Sequence, residues 1–201
     1  MEVATAINER RSIRKYTPEP LTREEIEKIL TAGMMAPSSS NLQPWYFVVI
    51  ESKENMERLK DIMAIATNNL MPYFKSRFAK HPQVIADTSA FVRLLGGAPV
   101  CILAFLLKDN YTLRLSAIQS VAAAIENMLL TATDMNLGSC WLTAPLSGGV
   151  DDQIHAAFAP DKGELVAMVT LGHPDQAPAA PRRKDGRYTI CLLYTSDAAD
   201  E

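Results

Sequence analysis

The chain has 201 residues, 48% of them apolar and 21% charged. That length suits one domain whose core needs neither disulfide nor metal to hold it. Its 20 basic and 23 acidic side chains leave a net charge of −3, which excludes nucleic-acid binding by bulk charge, since that needs a basic face.

Val3, Ala6 and Ile7 recur at helical spacing, so residues 2–9 are expected to form a short amphipathic helix. Thr22 and Glu25 have the spacing of a capping box, with Leu21 and Ile26 placed as a hydrophobic staple. Ile26, Ile29, Leu30 and Met34 then form the buried stripe of a helix that Pro37 stops. Residues 45–50 are apolar and rich in β-branched side chains, the pattern of a buried strand. Ser52 caps a further helix with Met56, Leu59, Ile62 and Met63 on its inner face. Residues 67–97 carry Pro72, Pro82, Gly96 and Gly97 with four aromatics, and are expected to form short helices in a mobile insert. Residues 99–107 are hydrophobic without a break, as in a strand covered on both faces. The longest periodic segment, 112–136, predicts a central buried helix that Gly138 ends as its C′ residue. Strands are expected at 139–143 and 164–171, with a helix over 151–158 between them. The mixture predicts an α+β layer fold.

Several chemistries find no footing. The fingerprints GxGxxG, GxxxxGK[ST], GxSxG and HExxH are absent. Cys101, Cys140 and Cys191 are scattered and lack CxxC spacing, which disfavours a zinc site and a secreted disulfide framework. Cys101 and Cys140 fall in apolar strands and read as small buried residues. His81, His155 and His173 lie far apart, and no pair of carboxylates stands out as an acid–base dyad. A chain with so few acid–base candidates borrows its chemistry from a cofactor. The N-terminal segment has no signal-peptide core, and no run approaches ~20 apolar residues. A cytoplasmic protein that binds neither membrane nor metal is the expectation.

Three clusters carry positive signal. Arg10, Arg11, Ser12, Arg14 and Lys15 put four cations and a hydroxyl within six residues. They suit forked contacts to a phosphate, or else a solvated helix end, where cations are also favoured. Ser38, Ser39, Ser40, Asn41 and Gln43 lie between Pro37 and Pro44. They form either a dense donor–acceptor loop or a serine-rich turn. Arg182, Arg183 and Lys184 follow a Pro/Ala spacer after Leu171-Gly172-His173-Pro174. They form a second cationic cluster or a solvated tail. Together the three clusters describe a small ligand that bears phosphate and is rich in hydrogen-bonding groups.

RRSIRKY, APSSSNLQPW, GGAPVCILAF, SVAAAIENMLLTATDMNLGSCWLTAP and LVAMVTLGHPDQAPAAPRRK stand in the order of the nitroreductase family of flavoproteins, which the chain resembles over residues 2–184. The resemblance implies a central mixed, mainly antiparallel sheet flanked by helices, in an intertwined homodimer with one FMN at each interface. It implies that Arg10, Arg11, Ser12 and Arg14 hold the FMN phosphate and the pyrimidine edge. Ser38, Ser39, Ser40, Asn41 and Gln43 would approach the flavin, some of them from the second subunit. The backbone at Leu142, Thr143 and Ala144 would lie near the reactive edge, with Thr143 where related sequences show glycine. Arg182 and Arg183 would complete the phosphate site. The implied chemistry is ping-pong hydride transfer from NAD(P)H through FMN to a nitroaromatic, quinone or enone, with no catalytic side chain in the strict sense. Alternatives on the same scaffold are reductive dehalogenation, flavin fragmentation and a non-catalytic FMN-binding module. Residues 1–189 would form the single domain, with 67–97 as its substrate lid. The final CLLYTSDAADE departs from the family, and residues 190–201 are expected to be non-native.

Overall fold

A computed structural model describes residues 1–109 and 111–191. Its sheet has four strands: β1 Trp45–Ile50, β2 Val100–Leu106, β3 Gly138–Leu142 and β4 Leu165–Gly172. They are ordered β1-β2-β4-β3, and every neighbouring pair is antiparallel. Among the described residues the one parallel contact is an isolated bridge between Ser12 and Ser139. Most of the expected non-native tail, residues 192–201, lies outside the described residues.

Successive side chains on a strand point to opposite faces, and β2 feeds both cores this way. Ile102, Ala104 and Leu106 enter one cluster, whereas Cys101, Leu103 and Phe105 enter the other. Helices α1 Val3–Glu9, α2 Arg23–Met34 and α5 Arg114–Asp134 lie on the first side. Helices α3 Lys53–Arg77, α4 Pro82–Leu94, α6 Ala144–Ser147 and α7 Asp151–Phe158 cover the second. Both β2 and β4 are buried along their whole length, as strands covered on both faces must be. At roughly 25 cal/mol per Å² of apolar surface removed from water, these two layers supply the main favourable term. On length and composition α5 could cross a membrane, yet eight of its residues are buried, and seven of them, including Ala117, Val121, Ile125 and Met128, belong to the first core.

The capping box forms as expected. The Thr22 hydroxyl accepts from the Glu25 N–H, and the Glu25 carboxylate accepts from the Thr22 N–H at 2.7 Å. Two expectations are corrected. Residues 67–97 are one helical hairpin rather than short irregular helices, because α3 runs through Pro72 to Arg77. An interior proline costs about 3 kcal/mol; here Leu70 and Phe74 on either side of it are buried with Phe91 and Val92 of α4, which offsets that cost. Gly138 is not the residue that ends α5. Asn136 takes the left-handed conformation (φ 57°) instead. The Leu137 N–H then donates to the Ala132 carbonyl and the Asn136 N–H to that of Thr133, which together make a Schellman end.

Candidate functional site

The cationic segment 10–16 leaves α1 and runs along β3. Ser12 bridges Ser139, and the Ile13 N–H donates to the Ser139 carbonyl at 2.9 Å. Gly138 permits this approach, because a Cβ there would lie 2.8 Å from Cγ2 of Ile13. Ile13 is buried while Arg14 and Lys15 stay exposed. The Nε of Arg10 faces the Glu126 carboxylate of α5 at 3.4 Å. Arg11 donates to the Asn8 and Arg10 carbonyls, both at 2.7 Å. The Arg14 guanidinium lies over the Phe91 ring of α4, 5.8 Å from its centroid, and has no carboxylate partner among the described residues. Burial pushes the Cys140 thiol up, against the opposing pull of Arg14, Ser12 and Arg10, so these groups act together over one end of β3. Three guanidinium groups and a hydroxyl, with only Arg10 facing a carboxylate among the described residues, form a donor set suited to a phosphate.

The loop 38–43 is built with backbone strain. Ser40 (φ 50°), Asn41 (φ 55°) and Gln43 (φ 45°) are all left-handed and none is glycine, at about 1 kcal/mol each. Local bonds hold the loop in shape. The Ser38 hydroxyl accepts from the Gln43 N–H at 3.0 Å, and the Gln43 side-chain amide donates to Oδ1 of Asn41 at 3.0 Å. The Ser39 N–H donates to the Ser120 hydroxyl of α5 at 3.1 Å.

At the far end of β3, Leu142 is buried and Thr143 begins the turn into α6. Thr143 has φ −111° and ψ 10°, and with a negative φ the position does not call for glycine. From Ser139 to Thr143 is about 13 Å of extended chain, which separates the cationic end of β3 from this turn.

The structure brings Arg10, Arg11, Ser12 and Arg14 together, and lays Leu142, Thr143 and Ala144 at the other end of the same strand. It does not bring the loop 38–43 to them. That loop hangs from Ser120 and the arginine segment from Glu126, positions about 9 Å apart along α5 and about 120° apart around it. Arg182 and Arg183 lie on the exposed segment after β4 and make no hydrogen bond or ion pair among the described residues. Sequence reasoning missed Glu126 and Ser120, and it counted Phe91 only among the aromatics of 67–97, not as the ring beneath Arg14; these roles follow only from the packing of α4 and α5. Two surface clefts, of about 350 and 640 Å³, lie elsewhere and touch none of the expected site residues.

Comparison with known proteins gives consistent matches. A profile described as the nitroreductase family matches residues 7–173. An Archaeoglobus fulgidus protein, provisionally named NADH dehydrogenase/NAD(P)H nitroreductase, is 30% identical over 174 residues, 86% of each chain. The crystal structure of a provisionally assigned nitroreductase from Desulfovibrio desulfuricans, in complex with FMN, superposes with a TM-score of 0.68 at 32% identity, covering 92% of both chains. Rat iodotyrosine deiodinase is 24% identical over 89% of this chain and 64% of its own length.

Proposed function

The chain belongs to the nitroreductase family, and from that premise we propose that it is an FMN-dependent oxidoreductase. It would take a hydride from NADH or NADPH and reduce nitroaromatic, quinone or enone acceptors. The observation that carries this reading is the Arg10–Arg14 cluster at one end of β3, with the Thr143–Ala144 turn at the other end of the strand. Such a strand offers phosphate donors and an open backbone turn on one rigid element. When bound, FMN supplies the redox chemistry, accepting the hydride and passing two electrons to the acceptor.

In this reading the protein binds, orients and tunes. Arg10, Arg11 and Ser12 hold the phosphate by charge-assisted hydrogen bonds. Arg14 would hold the pyrimidine edge, where its charge would stabilise negative charge on the bound group. Thr143 and Ala144 present backbone to the reactive edge, and no side chain is assigned as nucleophile or general base. The loop 38–43 reaches the ring from a second copy of the chain, because its own protomer holds it on another side of α5. Exposed apolar side chains on the same side of the sheet support such a homodimer, Val3 and Ile7 of α1 and Leu115 of α5 among them. Arg182 and Arg183 complete the phosphate site from the exposed segment after β4.

A visible spectrum under anaerobic conditions tests the reading. Flavin bands that bleach with NADPH or NADH and return on adding a quinone or nitroaromatic are the expected result. A protein that holds no flavin after incubation with FMN refutes it. The match to iodotyrosine deiodinase supports a second reading, reductive dehalogenation; iodotyrosine would then restore the bands and release iodide where a quinone does not.

A further inference from the structure

Tyr16 ends the cationic segment and has no part in the reading above, yet it is 7% exposed and its hydroxyl is fully engaged. The phenol donates to the Ile13 carbonyl at 2.6 Å. With its one proton committed there, the phenol oxygen accepts from Oγ1 of Thr170, 2.8 Å away on β4. Thr170 is fully buried. The Tyr16 N–H donates to the Gly96 carbonyl at 3.1 Å. Burial raises the phenol's pKa far above its ordinary value, so the proton on which this bond depends stays in place at any physiological pH.

Ile13 is therefore clamped on both sides. Its N–H is held by Ser139 and its C=O by Tyr16. That carbonyl belongs to the same planar peptide unit as the Arg14 N–H, so fixing it fixes the direction in which Arg14 leaves the chain. The Ser139 bond does the same for the peptide that joins Ser12 to Ile13. We propose that Tyr16 is a positioning residue that aims Ser12 and Arg14 at the bound phosphate and ring edge, acting through the Ile13 carbonyl with Thr170 as its anchor. The inference rests on the reading of segment 10–14 as the FMN site.

Y16F keeps the packed ring and removes only the hydroxyl. The flavin-free protein is titrated with FMN and with riboflavin, which lacks the phosphate, and flavin fluorescence reports binding. Tyr16→Phe is expected to weaken FMN about tenfold, through both the Ser12 contact to the phosphate and the Arg14 contact to the ring edge, and to weaken riboflavin, which offers only the ring edge, by about threefold, so that the preference for FMN falls. T170V leaves the Ile13 bond but frees the phenol from its anchor, and is expected to act in the same direction by about threefold; it carries the test if Y16F does not fold. A merely structural role would weaken both ligands alike and leave their ratio unchanged. A wild-type preference for FMN that persists in both variants overturns the inference alone. A wild-type protein that binds FMN and riboflavin equally overturns the phosphate-site reading, and this inference with it.

Discussion

Replacing Gly96 with alanine tests how firmly the arginine segment is seated. Gly96 has φ +66°, where an L side chain costs about 1 kcal/mol. An added Cβ would also lie 2.3 Å from the Arg14 carbonyl oxygen and 2.8 Å from its carbon. Those are backbone atoms, which cannot rotate out of the way as a side-chain tip can. Relief requires the segment to move off the end of α4, which breaks the bond from the Tyr16 N–H to the Gly96 carbonyl, worth about 1 kcal/mol net. Residual overlap adds about 1–3 kcal/mol. The sum is roughly 3–5 kcal/mol.

Gly149 supplies the control. Its φ is +65°, but among the described residues nothing lies within 4 Å of where its Cβ would stand, so G149A carries only the conformational cost of about 1 kcal/mol. Urea unfolding separates the two. With a slope of about 2 kcal/mol per M, a gap of roughly 2–4 kcal/mol puts the G96A midpoint about 1–2 M below that of G149A. Gly96→Ala should also lose FMN affinity while Gly149→Ala keeps it. Equal midpoints for the two variants would refute the seat described above.

Thr22→Ala removes the hydroxyl side of the capping box and should cost about 1 kcal/mol near neutral pH. The Thr22 backbone N–H and hydroxyl hold the Glu25 carboxyl below its usual range, so the stability it contributes is present above the unfolded carboxylate pKa and lost as pH falls through the lower folded value. Urea midpoints of wild type and T22A should therefore converge in acid, and a gap that widens there contradicts the assignment. Ellman's reagent should label one thiol per folded chain, Cys191, and three in urea, because Cys101 and Cys140 are buried and burial pushes both thiols up. Rapid labelling of two or more thiols in the folded protein would show that the β2–β4–β3 face is not closed.

Elements defined by local chemistry were legible. The capping box at Thr22, the unbroken run of β2 and the wide apolar face of α5 each rest on spacing within a few residues, and each forms at the expected place. The hairpin α3–α4 was not legible, because Pro72 signals a break locally and only the burial of Leu70 and Phe74 against α4 overrides it. The site divides in the same way. The cluster Arg10, Arg11, Ser12 and Arg14 could be found by composition, but what supports it could not. Glu126 is one charge among many on a helix, and its place beside Arg10 depends on how α1 crosses α5.

The glycines carry the deeper reason. Gly138 follows a long helical pattern and Gly96 follows another, so both look like helix ends, while Gly172 looks like the close of a strand. In the fold, a Cβ on Gly138 would strike Ile13, one on Gly96 the Arg14 carbonyl, and one on Gly172 would lie 2.6 Å from Cδ of Pro99 and 3.0 Å from the Tyr16 ring. Three glycines from three distant parts of the chain thus leave room for one segment of four residues, Ile13 to Tyr16. A solvated helix end would need no such accommodation. The close fit holds the backbone under Ser12 and Arg14 while Arg14 itself stays exposed with no carboxylate partner among the described residues, an arrangement that suits the proposed phosphate contact.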